Sequence, residues 1–303
     1  MSRGRVVTTA AAVVLLAACA ELNKLPGGSY LQERGKANAQ KIADNAVDTV
    51  ASGDITKTAA FSMEQEFYIG KTIAANVIAR LGGRALPPEH PAARYVRDVG
   101  TVVALSSAED QTADDRPYPL RGYRFVVVEA RQLNAVGMPG GFVAITTGAL
   151  ETVRSEDELA AVLAHEIAHV QHGHAMAPLE SARQQEHITS SMLAGTDALV
   201  HQFFGKVVET GTNFVLDKGY GKANELAADA DAKRTIERAG YDPDALARLL
   251  SRLGGKAAEG GFMYRHPPVA ERLKALGAAS PLVARTGPNP RAARFEARLS
   301  TLR

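Results

Sequence analysis

Apolar residues along most of the chain recur at the three- and four-residue spacing of an amphipathic helix. The first such stripe contains Phe67, Ile73 and Val77. Ser62, with a glutamine three positions later, forms the sequence pattern of a capping box, and Gly82 follows the last apolar position. This pattern predicts a helix between Ser62 and Gly82.

The same spacing predicts four more helices, approximately over residues 91–105, 155–173, 223–239 and 244–253. Two short runs differ, because they are dense in β-branched and aromatic residues, and these predict strands over 123–129 and 142–146. Helices, a short strand cluster and further helices together predict an α+β domain, mostly helical, with a small β-sheet beside helix 155–173.

Composition and charge exclude several classes of function. Hydrophobic residues make up 46% of the 303 residues, which is enough to bury a core. A net charge of +2 gives no reason to expect a nucleic-acid partner. Apart from the N-terminus, no stretch approaches the roughly 20 apolar residues that span a bilayer.

The N-terminus has the pattern of a signal peptide. Arg3 and Arg5 precede an apolar run that ends in Leu-Ala-Ala-Cys at Cys19, which resembles the lipobox of bacterial lipoproteins. An ordinary secretory signal cleaved near Ala20, with an incidental cysteine, is the alternative. The lipobox interpretation predicts a signal peptide over 1–18 and a lipidated Cys19.

The residue after the cysteine bears on location. In Gram-negative lipoproteins an aspartate there favours the inner membrane, and here it is Ala20. The resemblance therefore implies a periplasmic protein anchored by lipid in the inner leaflet of the outer membrane. Polar residues 19–60 are predicted to form a membrane-proximal tether.

Candidate chemistry lies on helix 155–173. His165 and His169 are four positions apart, so both project from one helix face and can hold one metal ion. Glu166 lies beside the first of them, where a carboxylate can accept a proton from an activated water. HExxH also arises by chance, so this motif alone is suggestive.

A catalytic zinc ion needs a third protein ligand and an open position. The metzincin pattern HExxHxxGxxH fails, because residue 175 is alanine. Glu225 and Asp229, on the helix predicted over 223–239, instead fit a glutamate ligand followed four positions later by an aspartate that fixes a ligand histidine, predicted to be His165. An ordinary solvated acidic pair is the alternative.

These motifs resemble the gluzincin zinc metallopeptidase family that includes HtpX and the CAAX prenyl protease. Asn134-Ala135 with Pro139-Gly140-Gly141, and His266-Pro267 with Glu271-Arg272, also match it. The likeness covers roughly residues 61–277. Because the chain lacks the transmembrane helices of the membrane-embedded members, it looks closer to the soluble periplasmic lipoprotein branch (LoiP- or BepA-like), without the helical-repeat domain of BepA.

The resemblance implies roles for further residues. It implies that the strand Phe142, Val143, Ala144, Ile145 and Thr146 is the edge strand that pairs with an extended substrate, although a plain sheet edge is an open alternative. It implies that His266 reaches the active site, with Arg272 assisting. His172 and His174 lack ligand spacing and are interpreted as helix-end histidines.

We therefore expect one Zn²⁺ per chain, held by His165, His169 and Glu225, with Glu166 as general base and proton donor to the leaving amine. The expected function is an endopeptidase acting on misfolded or unassembled envelope and outer-membrane proteins. Two alternatives stay open: a periplasmic chaperone or assembly factor with little proteolysis, and a structural zinc site with His266 as fourth ligand.

The predicted domain organisation completes this interpretation. Residues 61–280 form the zinc metallopeptidase domain and 281–303 a basic C-terminal tail whose arginines line a solvated helix face. Residues 176–221, with an apolar patch, are a candidate lid over the substrate groove. The sequence leaves the oligomeric state undetermined.

Overall fold

The local sequence signals place the helices where the apolar periodicity predicts them. The computed structural model describes residues 61–108, 118–191, 197–254, 269–277 and 289–302. The Ser62 side chain accepts a hydrogen bond from the Gln65 amide, and the Gln65 side chain accepts one from the Ser62 amide, so the first capping box is complete. Gly82 ends that helix.

In the described ranges the helices are α1 (Met63–Leu81), α2 (Pro91–Ala108), α3 (Thr147–Thr152), α4 (Glu156–Gln171), α5 (Met176–Ser191), α6 (Asp197–Asn213), α7 (Lys222–Arg238), α8 (Ala245–Leu253), α9 (Val269–Leu276) and α10 (Pro290–Leu299). The strands are β1 (Arg124–Val128), β2 (Ala135–Met138) and β3 (Phe142–Thr146). The predicted α+β class, mostly helical with a small sheet, is confirmed. None of these helices is long and apolar enough to cross a membrane.

The sheet has the order β1-β3-β2, with β1 parallel and β2 antiparallel to β3. A tight 3₁₀ turn, Pro139–Gly141, joins β2 to β3. Since β3 pairs on both sides, it is the central strand. The expectation that Phe142, Val143, Ala144, Ile145 and Thr146 form a sheet edge is therefore wrong.

Two clusters of buried apolar side chains cover the two faces of the sheet. Val143 and Ile145 of β3 point into one cluster, together with Leu163 and Ile167 of α4. Ala144, which points to the opposite face, packs in the second cluster with side chains of α1 and α6. Helix α4 is thereby buried between the sheet, α2 and α7, which fixes its position.

Helix α10 occupies part of the predicted basic tail. Its Phe295 and Leu299 are buried, and Arg294 donates a 2.6 Å hydrogen bond through Nε to Glu156, the first residue of α4. Arg294 keeps 47% of its side chain exposed and also binds the buried carboxylate at the start of α4. The C-terminal helix belongs to the folded domain.

Candidate metal centre

Helix α4 presents the two histidines of the motif inside the protein. The Ser155 hydroxyl caps its N-terminus by accepting from the Glu158 amide. Two turns further on, His165 and His169 are 0% and 1% exposed, and their Nε2 atoms lie 3.0 Å apart. Their four-residue spacing on one helix face accounts for this convergence.

Glu225 on α7 completes a group of three candidate ligands. Its carboxylate oxygens lie 3.4 Å from Nε2 of His165 and 3.5 Å from Nε2 of His169, and the residue is fully buried. Donor atoms around a tetrahedral zinc ion, at roughly 2.0–2.1 Å from it, are separated by about 3.3 Å. The donor set and its spacing therefore fit a zinc ion.

Asp229, one turn after Glu225, lies behind the first ligand. Its Oδ1 is 3.0 Å from Nδ1 of His165. Burial and Arg272 lower the pKa of His165, but hydrogen bonds to Asp229 and Glu225 outweigh them and raise this pKa to about 9. A carboxylate on Nδ1 leaves Nε2 directed at the metal site and fixes the ring orientation.

Arg272 on α9 holds Asp229 in place. It is fully buried and donates from Nε and Nη2 to the two oxygens of Asp229, at 2.7 and 2.5 Å. Burial raises the pKa of Asp229, but the bonds from Arg272 and His165 outweigh this and hold the pKa well below its usual value. Arg272 is thus placed to position Asp229.

Glu166 lies on the side of α4 that faces the sheet. It is 1% exposed, and its Oε2 accepts a 2.6 Å hydrogen bond from the backbone N–H of Gly137 in β2. Only a glycine fits at 137, since a Cβ there would lie 2.4 Å from the backbone oxygen of Glu166. The close approach of β2 to α4 brings a strand directly to the candidate general base.

Two aromatic side chains surround His169. Its Nδ1 is 2.7 Å from Nδ1 of His174, and the Tyr220 ring stacks on it at a centroid distance of 3.8 Å. Burial and the neighbouring His172 lower the pKa of His174 to about 4, so this ring is neutral and can accept the Nδ1 proton of His169. His172 instead pairs with Asp231 at 2.5 Å.

A family model described as Peptidase family M48 matches residues 103–280, which is more than half of the chain. This range contains the histidine motif, Glu225 and Asp229. The chain belongs to Peptidase family M48. The predicted resemblance to the gluzincin metallopeptidases is therefore confirmed.

Several curated proteins are similar to this chain. The putative beta-barrel assembly-enhancing protease of Vibrio cholerae is 32% identical over 152 residues, 48% of this chain and 31% of that protein. The mitochondrial metalloendopeptidase OMA1 of Schizosaccharomyces pombe is 28% identical over 222 residues, 71% of this chain and 61% of that protein. The beta-barrel assembly-enhancing protease of Escherichia coli K12 is 24% identical over 245 residues, 78% and 47% of the two chains.

The chain thus spans between 31% and 61% of the lengths of these relatives.

The structure brings together most of the site residues predicted for this M48 domain. His165, His169 and Glu225 converge, Asp229 contacts His165, and the Glu166 carboxylate contacts Gly137. His266 and Cys19 lie outside the described residues.

Sequence reasoning missed two parts of the site. One is the close approach of Gly137 to Glu166. The only sign of it in the sequence is a glycine between the two predicted strands, since glycine often marks a close backbone contact. The other is Tyr220. Its position between two glycines is the only feature of the sequence that sets it apart from other tyrosines.

Proposed function

We propose that this protein is a zinc-dependent endopeptidase of the bacterial envelope. The observation that carries the proposal is the convergence of the buried side chains of His165, His169 and Glu225. Glu166, also buried, follows His165 on the same helix. Two histidines and a glutamate are the donor set of a catalytic zinc ion, which keeps one position open. A structural zinc ion usually has four protein ligands.

The three ligands would hold the ion, which when bound acts as a Lewis acid on the scissile carbonyl and lowers the pKa of a water to about 7. Asp229 and Arg272 keep His165 oriented for this task. Glu166 takes the proton of the attacking water and delivers it to the leaving amine. The hydrogen bond from Gly137 holds the Glu166 carboxylate between the helix and the strand.

The substrate would lie along β2, the strand of the described sheet that is next to the site. Its partner β3 hydrogen-bonds to alternate residues, including Asn134, whose carbonyl accepts from the Thr146 amide. In an antiparallel pair, residues that bond to the partner strand alternate with residues that do not. Gly137, three positions after Asn134, is one that does not, so its N–H and C=O point away from β3 and towards the site. An extended polypeptide can add as a further strand on this side.

Replacing Glu166 with glutamine tests the assignment. Reduced β-casein, an unfolded polypeptide, serves as substrate, and zinc per chain is measured by elemental analysis. We expect cleavage to fall about 10²–10⁴-fold, as for loss of a general base, while one zinc ion per chain remains. Glu151→Gln, an exposed glutamate on α3, is the matched control. Cleavage retained by the Glu166→Gln protein would contradict the assignment of Glu166 as the general base.

The physiological substrates we propose are misfolded or unassembled outer-membrane proteins. The names of the beta-barrel assembly-enhancing relatives support this class. Proteomes of outer-membrane fractions from cells with the wild-type or the Glu166→Gln protein should differ in such proteins. If the variant restores their normal abundance as well as the wild type does, the function is that of a chaperone or assembly factor.

We also propose that lipid on Cys19 anchors the protein to the inner leaflet of the outer membrane, facing the periplasm. The lipobox pattern supports this. In a Gram-negative host, a Cys19→Ala protein should move from the membrane fraction to the soluble fraction, with Ala18→Ser as the control. A Cys19→Ala protein that stays in the outer membrane would contradict the anchor.

A further inference from the structure

A short strap joins α6 to α7 directly over the metal centre. After α6 the chain makes a π-helical turn, Phe214–Lys218, and then passes through Gly219, whose φ of 69° is in the left-handed region. Tyr220 follows, and α7 begins two residues later with Glu225 in its first turn. Single π-helical turns are frequent at functional sites.

The strap fixes the ring of Tyr220. It stacks on His169 with an angle of 16° between the ring planes, and the Phe214 ring packs edge-on against it at 5.4 Å. Tyr220 is 9% exposed. A ring held from two sides places its hydroxyl with little freedom.

The Tyr220 hydroxyl donates to the carbonyl oxygen of Gly137 at 3.4 Å. Gly137 is also the residue whose N–H donates to Glu166. Both outward backbone groups of Gly137 are thus occupied by side chains of the site. The bond from Tyr220 is long compared with the usual 2.7–2.8 Å for O–H···O, so it is weak and readily exchanged.

An extended substrate on this side of β2 needs the same carbonyl oxygen as an acceptor. We propose that the Tyr220 hydroxyl is a substrate-displaced group: it satisfies the Gly137 carbonyl in the free protein, and a backbone N–H of the polypeptide takes its place. This inference rests on the proposed function, because it takes the outer side of β2 as the substrate site. Tyr220 therefore tunes substrate affinity.

Tyr220→Phe removes the hydroxyl and keeps the ring on His169. The free protein then leaves the buried Gly137 carbonyl without this donor, and a bound polypeptide supplies one, so binding should tighten. We expect the Kd for fluorescein-labelled reduced β-casein to fall about 2- to 5-fold, the weak end of the range for neutral hydrogen bonds. Fluorescence anisotropy measures this Kd in a Glu166→Gln background, where cleavage is about 10²–10⁴-fold slower and the glutamine oxygen can still accept from Gly137.

The matched control is Tyr118→Phe, which removes a tyrosine hydroxyl whose ring packs on Tyr123. In the cleaving protein, KM for β-casein should fall by the same factor as Kd. Zinc affinity, measured by chelator competition, should change less than about 2-fold, because the stacked ring stays.

A Kd that is unchanged or higher in the Tyr220→Phe protein would overturn the inference. So would a large fall in kcat with an unchanged Kd, since the hydroxyl would then act on the transition state. The binding experiment does not depend on catalysis. Tighter binding by the Tyr220→Phe protein, together with a wild-type chain that cleaves nothing, would support the displaced hydroxyl and reject the endopeptidase.

Discussion

Replacing Arg272 with methionine removes the cation from a buried ion pair and retains most of the side-chain volume. Arg272 is 0% and Asp229 1% exposed, and two hydrogen bonds of 2.7 and 2.5 Å join them. The variant leaves the Asp229 carboxylate in the interior, 3.0 Å from His165. It tests whether Arg272 acts by holding Asp229.

The buried contacts of Arg272 set the expected loss of stability. A hydrogen bond to a charged group contributes roughly 1.5–3 kcal/mol, and two are lost. Removing one partner of a buried ion pair costs about 3–5 kcal/mol. In this variant the buried Asp229 carboxylate keeps only His165 as its partner. We therefore expect the free energy of unfolding to fall by about 3–5 kcal/mol, a large part of the roughly 5–15 kcal/mol typical of a folded domain.

Urea unfolding followed by circular dichroism, with excess chelator in all samples, measures this loss without a contribution from bound metal. Arg84→Met is the matched control, because Arg84 pairs with Glu129 at 2.8 Å on the surface, with 71% of its side chain exposed. An exposed pair contributes about 0–1 kcal/mol. The double variant Arg272→Met/Asp229→Asn should be more stable than the single Arg272→Met variant, because the buried carboxylate that has lost Arg272 is removed as well.

If the free energy of unfolding of Arg272→Met falls by less than about 1 kcal/mol, the reasoning is refuted, because removing one partner of a buried ion pair is strongly destabilising. A double variant whose loss equals the sum of the two single losses would refute it too. Additivity would mean that the two side chains do not act as a pair.

Three further predictions concern the site and its support. Asp229→Asn should weaken zinc binding about 10- to 100-fold in chelator competition, because the ligand histidine loses its carboxylate partner; unchanged affinity would contradict this. Gly137→Ala should lower β-casein cleavage by about 10²-fold by forcing β2 away from α4, whereas Gly205→Ala, which has open space around it, should not. Burial raises the pKa of Glu156, but hydrogen bonds from arginine and tyrosine partners outweigh it and lower the pKa. The ionised Glu156 carboxylate therefore stabilises the fold above about pH 4.3, the pKa of an unfolded glutamate, and this stabilisation is lost as pH falls through the lower pKa of the folded state. Between about pH 5 and about pH 3, urea unfolding should show a smaller loss of stability for Glu156→Gln than for wild type.

The helices were predictable because their signals are local. The capping box at Ser62 and the apolar stripe after it predicted α1, and α7 differs from its prediction by one residue at each end. Glycine stops and three- and four-residue spacing act within a few residues of each other. Such signals need no knowledge of the rest of the fold.

Strand pairing was predictable only in part. The β-branched run 142–146 predicted a strand, and β3 is there. Its place in the centre of the sheet depends on partners at a distance in the chain, and no strand was predicted where β2 lies. Strand order is set by long-range hydrogen bonds, which local composition does not encode.

The C-terminal helix shows the same limit for charge. Five arginines in the last 20 residues predicted a solvated face. Arg294 binds Glu156, a residue far away in sequence. Because the local pattern is the same for an exposed arginine with or without a distant carboxylate partner, only the fold shows that Arg294 has one.

By itself, the sequence determined the donor set of the metal centre. His165, His169, Glu225 and Asp229 lie on two helices at four-residue spacing, and helix geometry alone places each pair on one face. The tertiary structure decided what surrounds those ligands: Arg272 behind Asp229, and Gly137 and Tyr220 on the side where a substrate would lie. The physical reason is the distance along the chain over which each signal acts. Helical periodicity acts within one helix, whereas contacts between elements exist only after the helices and the sheet have packed.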